Sequence, residues 1–234
     1  MGRRPLNKAE DTMSIALAGS TDANAASVAL PSHQINDTIL FLVYRDNSTA
    51  SPTIPSDCVV VYQQAVGAAG YLIVAFKVAN TTTETSGTWT NASHILALVF
   101  RPDANSLAMP EYLSTQSATS ATVTFAAQAT GTLRVNAEDI ALVGFVAQRN
   151  STNDLTQPPG AMVNVRAGGN GSTYQVAASW DDSRTTTWSA TSITVATSAL
   201  YRTAVVALSQ VSFTPSGGGG GLILPRNFEG GYSA

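Results

Sequence analysis

One cysteine, two histidines and a charged share of only 12% leave this 234-residue chain short of the side chains that most chemistry uses. A single cysteine, Cys58, excludes an intrachain disulfide and a cysteine-based zinc site. It opens the apolar stretch "SDCVVVY", where a small buried residue fits better than a nucleophile, which needs a partner base. The charged share is about half that of an average domain. Low charge signals disorder only when hydrophobicity is also low, and here 44% of residues are hydrophobic. The expectation is a folded chain with a neutral, Ser/Thr/Asn-rich surface.

Net charge is −3, and the basic cluster is confined to Arg3, Arg4 and Lys8. That argues against a nucleic-acid binder, which carries a basic patch or stripe. No apolar run approaches the ~20 residues of a membrane-spanning helix. The leading "MGRRPLNKAEDTM" is not followed by an apolar stretch of signal-peptide length, and Leu6 breaks the myristoylation pattern. The chain is therefore expected to be made in a cytoplasm, and to stay there or leave within something assembled there. Sequons at Asn36, Asn47, Asn80, Asn91, Asn150 and Asn170 then read as by-products of composition rather than glycan sites.

Catalytic patterns are equally sparse. His33 sits in a turn-like stretch and His94 enters a strand, neither near a G-x-S-x-G nucleophile motif. Asp181 and Asp182 are adjacent, so their carboxylates diverge instead of facing each other as a glycosidase pair does. "SWDDSRT" is a thin oxygen set for calcium, and "AGGNGST" (167–173) lacks the lysine and helix of a phosphate loop. No catalytic, cofactor-binding or metal-ligating residue is assigned, no cofactor is implied, and the expectation is a non-enzymatic protein.

What the chain does have is short extended segments. "TILFLVY" (38–44), "CVVVYQQ" (58–64), "YLIVAFKVA" (71–79), "HILALVF" (94–100), "DIALVGFVA" (139–147), "AMVNVRA" (161–167) and "YRTAVVALSQVSF" (201–213) are rich in β-branched and aromatic residues and bounded by turn formers. "MSIALAG", "ASVAL" (26–30), "SGTWT" (86–90), "ATVTFAA" (121–127), "GTLRV" (131–135), "STYQVAASW" (172–180) and "TTTWSAT" (185–191) also read as strands. The stretch 101–120, with two prolines and no sustained period, reads as a linker. No segment carries a helical apolar period over twelve residues. The fold class is all-β, a sandwich or jelly roll.

The halves repeat. Asp37 precedes "ILFLVYR" and Asp139 precedes "IALVGFVAQR"; Pro55 lies ten residues beyond Arg45, and Pro159 ten beyond Arg149. Tyr71 and Tyr174 open later strands, and Trp89 and Trp188 sit in Thr/Ser-rich segments. The expectation is two tandem antiparallel β-sandwich repeats, 14–109 and 110–213, or an interleaving of both into one large jelly roll. A flexible arm (1–13) would precede them, and a Gly-rich tether with a docking arm (214–234) would follow. Trp89 and Trp188 read first as rings that cover a sheet end and give N–H to a loop carbonyl, with surface recognition of a glycan as the rival. Arg45 and Arg149 read as strand-end anchors whose stems lie on apolar surface. In the tail, five glycines at 217–221 tether "LILPRNF". Leu222, Ile223, Leu224 and Phe228 are thus candidate partner-docking residues, a closing strand being the alternative.

The stretches "INDTILFLVYRDNSTASPTIP", "YLIVAFKVANTTTETSGTWTNASHILALVFR" and "EDIALVGFVAQRNSTNDLTQPPGAMVNVRA" together resemble a family of tailed-bacteriophage virion proteins, over roughly residues 14–212. Shared features are a strand ending in Arg, a Pro-closed loop, a "KVA"-like strand, a "TSGTWT"-like segment and a second half repeating the theme. Ser56-Asp57 follow Pro55 where the family often has Gly-Trp. The resemblance implies a non-enzymatic virion component made in the host cytoplasm, a head decoration protein or a tail or collar part. It implies virion subunits such as the major capsid protein as partners, and a homo-oligomer, a trimer among the options.

Overall fold

The computed structural model describes residues 15–68, 70–128, 140–150, 152, 155–182 and 188–212. Among them there are strands and turns and no helix. The first half supplies β1 (Ala16–Ala23), β2 (Thr38–Asp46), β3 (Val59–Ala65), β4 (Gly70–Val78) and β5 (His94–Arg101). The second supplies β6 (Ser106–Phe125), β7 (Ile140–Gln148), β8 (Val163–Gly169), β9 (Gln175–Asp181) and β10 (Thr191–Ser212).

The strands form two five-stranded antiparallel sheets, ordered β1-β5-β2-β4-β3 and β6-β10-β7-β9-β8. Adding five to each strand number of the first order gives the second, so the sequence repeat is a repeat of topology. The all-β sandwich is what forms, and the halves divide it, one sheet each. β2, β5 and β7 are buried nearly throughout because they lie inside their sheets with both faces covered.

Even-numbered residues of β2, among them Leu40, Leu42 and Tyr44, meet Val143, Phe145 and Ala147 of β7 in the core between the sheets. Odd-numbered ones, among them Ile39, Phe41 and Val43, face outward beneath Val28 and Trp89. The second sheet's outer face is covered differently. Val123, Phe125, Ile193 and Val195, at the far ends of β6 and β10, join Leu142, Val146 and Val205. The ribbon they form folds back on β10, since Thr124 N–H donates to the Tyr201 hydroxyl (3.1 Å) and Thr203 Oγ1 donates to Thr124 O (2.8 Å). A bulge between Thr194 and Ala199 makes that bend.

Register locates the equivalences between halves. Val59 pairs with Phe76, and Val163 with Trp180; each edge strand then bulges after its second residue, at Val60/Tyr62 and at Asn164/Arg166. The turns ahead match too: Cys58 N–H donates to Pro55 O (3.0 Å), and Met162 N–H to Pro159 O (3.2 Å). The halves pack so that β1 lies against β8 and β3 against β6. Exchanging the halves turns one contact into the other, which is a pseudo-twofold relation.

Some expectations are corrected. The presumed linker is mostly β6, a long edge strand; Pro110 pairs opposite Leu208 and is tolerated because the outer side of an edge has no ladder bond to lose. The boundary expected between 109 and 110 falls inside that strand. "ASVAL" and "SGTWT" are irregular cover, tied together by Trp89 N–H to Ala26 O (2.7 Å) and Val28 N–H to Ser86 Oγ (2.9 Å). The arm expected at 1–13, "GTLRV" and the tail after Ser212 lie outside the described residues.

Candidate functional site

Trp89 is fully buried. Its ring lies 5.6 Å from that of Phe41, and Nε1–H donates to Ser86 O (2.9 Å). A ring with no exposed face cannot stack on a ligand, so Trp89 is withdrawn as a surface-recognition residue and stands as the anchor of the outer cover. Trp188 is half-buried; its Nε1–H donates to Ala126 O (2.8 Å), and Gln128 N–H donates to Trp188 O (3.0 Å). Both tryptophans thus tie the segment before the last strand of a half to the segment after its first strand. Leu222, Ile223, Leu224 and Phe228 lie outside the described residues.

The arginines aligned by sequence are not equivalent. Leu40 and Val143 occupy matching register positions, as do Phe76 and Trp180 that pair with them. This makes Gln148, not Arg149, the counterpart of Arg45 in the second half. A shift of one residue changes the face. Arg45 Nη1 caps the following loop at Ala50 O and Ser51 O (3.3 and 3.4 Å), whereas Arg149 Nε reaches Asp46 Oδ1 of the other half (3.4 Å). Tyr71 and Tyr174 are likewise one position apart: Tyr71 packs outside, and Tyr174 is buried between the sheets, 5.1 Å from Tyr44. Burial raises the Tyr174 phenol to about 12, with Asp46 adding to the rise.

The structure brings together, at the β1–β8 corner, residues that the sequence scatters. Arg166 Nε reaches Asp22 Oδ1 (2.5 Å), and Asp22 Oδ2 lies 3.4 Å from His94 Nε2. Asn24 Nδ2 donates to Gly169 O (2.9 Å), which fixes its amide and points Oδ1 at His94 Nδ1 (2.5 Å). The Tyr174 hydroxyl donates to Ser93 O (2.8 Å). Gly168 lies under this group: a Cβ there would stand 2.6 Å from Asp22 Oδ2 and from His94 Cε1. The sequence signal was that glycine, which marks a close approach when it sits inside a strand.

The pseudo-equivalent corner, β6–β3, has other chemistry. Register matches Asp22, opposite Leu96, with Thr115, opposite Ala204; His94 with Arg202; and Arg166 with Tyr62. Tyr62 OH meets Thr115 Oγ1 (2.9 Å), Arg202 Nη1 donates to Tyr62 OH (2.8 Å) and Gln64 Oε1 (2.7 Å), and Tyr62 stacks on Tyr112 at 5.0 Å. One corner is joined through carboxylate, imidazole and guanidinium, the other through phenol, hydroxyl, amide and guanidinium.

Remaining ionisable groups are held in place. Lys77 Nζ donates to Asp57 (2.8 Å), Glu84 (3.1 Å) and Thr85 O (2.5 Å). Arg101 clamps the buried Asp37 at both oxygens (3.0 and 2.7 Å). His33 accepts Glu84 N–H at Nε2 (3.0 Å), so Nδ1 is its donor, toward Pro31 O (2.8 Å). Burial pushes the Cys58 thiol up to about 12, helped by Asp57. The sequon asparagines are turn residues: Asn36, Asn47 and Asn91 have positive φ, and Asn170 Oδ1 accepts from Ser172 N–H and Thr173 N–H. A depression of about 270 Å³ beside β8, lined by Leu155, Thr156, Ala167, Gly169 and Gln175 among others, has no ionisable group in its lining among the described residues.

β3 and β8, the strands at the ends of their sheets opposite β1 and β6, open with an exposed valine each, Val59 and Val163, at equivalent positions. No family model, curated protein or solved structure matches the chain.

Proposed function

We propose that the protein is a non-enzymatic structural component of a bacteriophage particle, a decoration or cement protein that binds the outside of the capsid and stabilises it. The observation that carries this reading is the duplicated body with two equivalent edges, β3 and β8, each led by an exposed valine. Such a body suits adhesion to a repeating surface, where modest contacts multiply across many copies. Its buried ionisable groups take part in interactions within the fold, which suits a scaffold more than a reacting centre. Its partners in this reading are the major capsid protein or other virion subunits, and its own copies. The resemblance of the two Pro-closed loops and the "KVA" and "TSGTWT" segments to phage virion proteins points the same way.

Co-sedimentation with purified capsids tests it. The expected result is saturable binding at a fixed ratio to capsid subunits and a higher temperature of capsid disruption. A protein that stays free of capsids at every ratio refutes it. A tail or collar role in recognising a host glycan is favoured by one observation, that Trp188 is only partly buried. In that case Trp188→Ala leaves the fold intact and removes host adsorption; unchanged adsorption rejects the glycan role.

A further inference from the structure

We propose that the β1–β8 corner is an acid-sensitive latch between the two halves, released when His94 takes up a proton. His94 is completely buried, and its two ring nitrogens are in different situations. The amide of Asn24, fixed by Gly169 O, presents Oδ1 to Nδ1, so Nδ1 carries the hydrogen. Nε2 then presents a lone pair, has no hydrogen-bond partner among the described residues, and faces Asp22 Oδ2 at 3.4 Å. Asp22 is already committed to Arg166. With the imidazole neutral, Asp22 and Arg166 balance; a proton on Nε2 leaves one uncompensated positive charge, carried on a fully buried ring.

The groups facing His94 are Asp22 from β1, Arg166 from β8, and Tyr174 edge-on at 6.0 Å; Tyr44 pairs with it on β2, and Asp46 and Arg149 form the next ion pair along. Burial favours the neutral ring and dominates; Asp22 opposes it, and Arg166 adds to it, so proton affinity falls below that of a free imidazole. A group whose affinity is depressed in the closed state takes up its proton more readily in the open one. Acid therefore drives opening, beginning as pH drops through the free value of about 6.5. Gly168 admits no side chain that could fill the space left by movement of the ring. The β6–β3 corner is the internal control, because its contacts run through Tyr62, Thr115, Arg202 and Gln64 and include no imidazole.

The test follows the full chain from pH 7.5 to 5. Proton NMR tracks the two imidazoles, and hydrogen exchange, corrected for intrinsic rates, compares β1 and β8 with β3 and the start of β6. The expected result is His94 titrating below about 6.5 and β1–β8 exchange rising relative to the control corner, by at most about thirtyfold at pH 5, the limit set by the free imidazole. His94→Gln removes that rise. Should that variant not fold, Asp22→Asn keeps the ring, removes the carboxylate that favours its proton, and moves the His94 titration of the closed protein to lower pH. The latch is refuted if His94 titrates at or above the free value, if both corners respond alike, if His94→Gln keeps the rise, or if Asp22→Asn leaves the closed-state titration of His94 unmoved.

Discussion

Replacing Trp89 by alanine separates a structural from a recognition role for the tryptophans. The ring is wholly enclosed between Phe41 and the loop cover, and its N–H is bonded to Ser86 O. Truncation removes the transfer energy of a large aromatic and leaves a cavity that a strand-backed site cannot fully collapse, together about 3–5 kcal/mol. The lost hydrogen bond accounts for roughly 1 kcal/mol of that. In a domain of this size each kcal/mol lowers the midpoint by ~2–4 °C, so Trp89→Ala should melt about 6–20 °C earlier. Trp188 is half-buried and keeps solvent on one side, so Trp188→Ala should cost only ~1–2 kcal/mol. Thermal melts followed by far-ultraviolet circular dichroism make the comparison without depending on tryptophan fluorescence. Trp89→Phe should recover part of the loss, since a phenyl ring keeps contact with Phe41 while the N–H and the rest of the indole volume are removed. A Trp89→Ala shift equal to or smaller than that of Trp188→Ala would refute the burial argument.

Other substitutions and conditions bear on separate parts of the structure. Gly168→Ala should cost ~1–3 kcal/mol by overpacking and should weaken β1–β8 before other pairings, as hydrogen exchange can show. The Lys77 cluster predicts stability lost at both extremes of pH. Asp57 is lowered by its bond to Lys77; Glu84 is lowered despite burial, by Lys77 and the N–H groups of Asn80 and Thr81. Their contribution is full above the ordinary carboxylate range near 4 and is lost as pH falls through the depressed values. Lys77 is raised, its bonds to Asp57 and Glu84 outweighing burial, so its contribution is present below about 10.4 and lost as pH rises through the raised value. Urea midpoints from pH 3 to 11 should show both limbs, and Lys77→Met should flatten them. Cys58, pushed up to about 12, should react with a disulfide reagent at pH 7.5 far more slowly in the native protein than in urea; equal rates would contradict its burial.

Strands covered on both faces were legible. β2, β5 and β7 are continuous apolar runs because both faces meet a core, and β4 and β9 are nearly so. Only the end of β6, in "ATVTFAA", was legible; the rest of this edge strand carries Ser and Thr along much of its length and tolerates Pro110, and both signs resemble a linker. "SGTWT" has strand composition yet supplies cover, because Trp89 fills the outer face by packing and not by joining a ladder. The repeat was visible, but the pairing of Arg45 with Arg149 and of Tyr71 with Tyr174 slipped by one residue. Identity matched there and face did not, which only register reveals. The corner of Asp22, His94 and Arg166 had Gly168 as its one local sign, and that glycine does not name its partners, since they come from β1, β5 and β8 and meet only when the halves pack.

The central claim is that the two halves are one body, sharing the core between Leu40, Leu42 and Tyr44 on one side and Val143, Phe145 and Val206 on the other. Differential scanning calorimetry of the full chain tests it most directly. A shared core predicts a single transition whose calorimetric and van't Hoff enthalpies agree. Two separable transitions, one for each half, would contradict it.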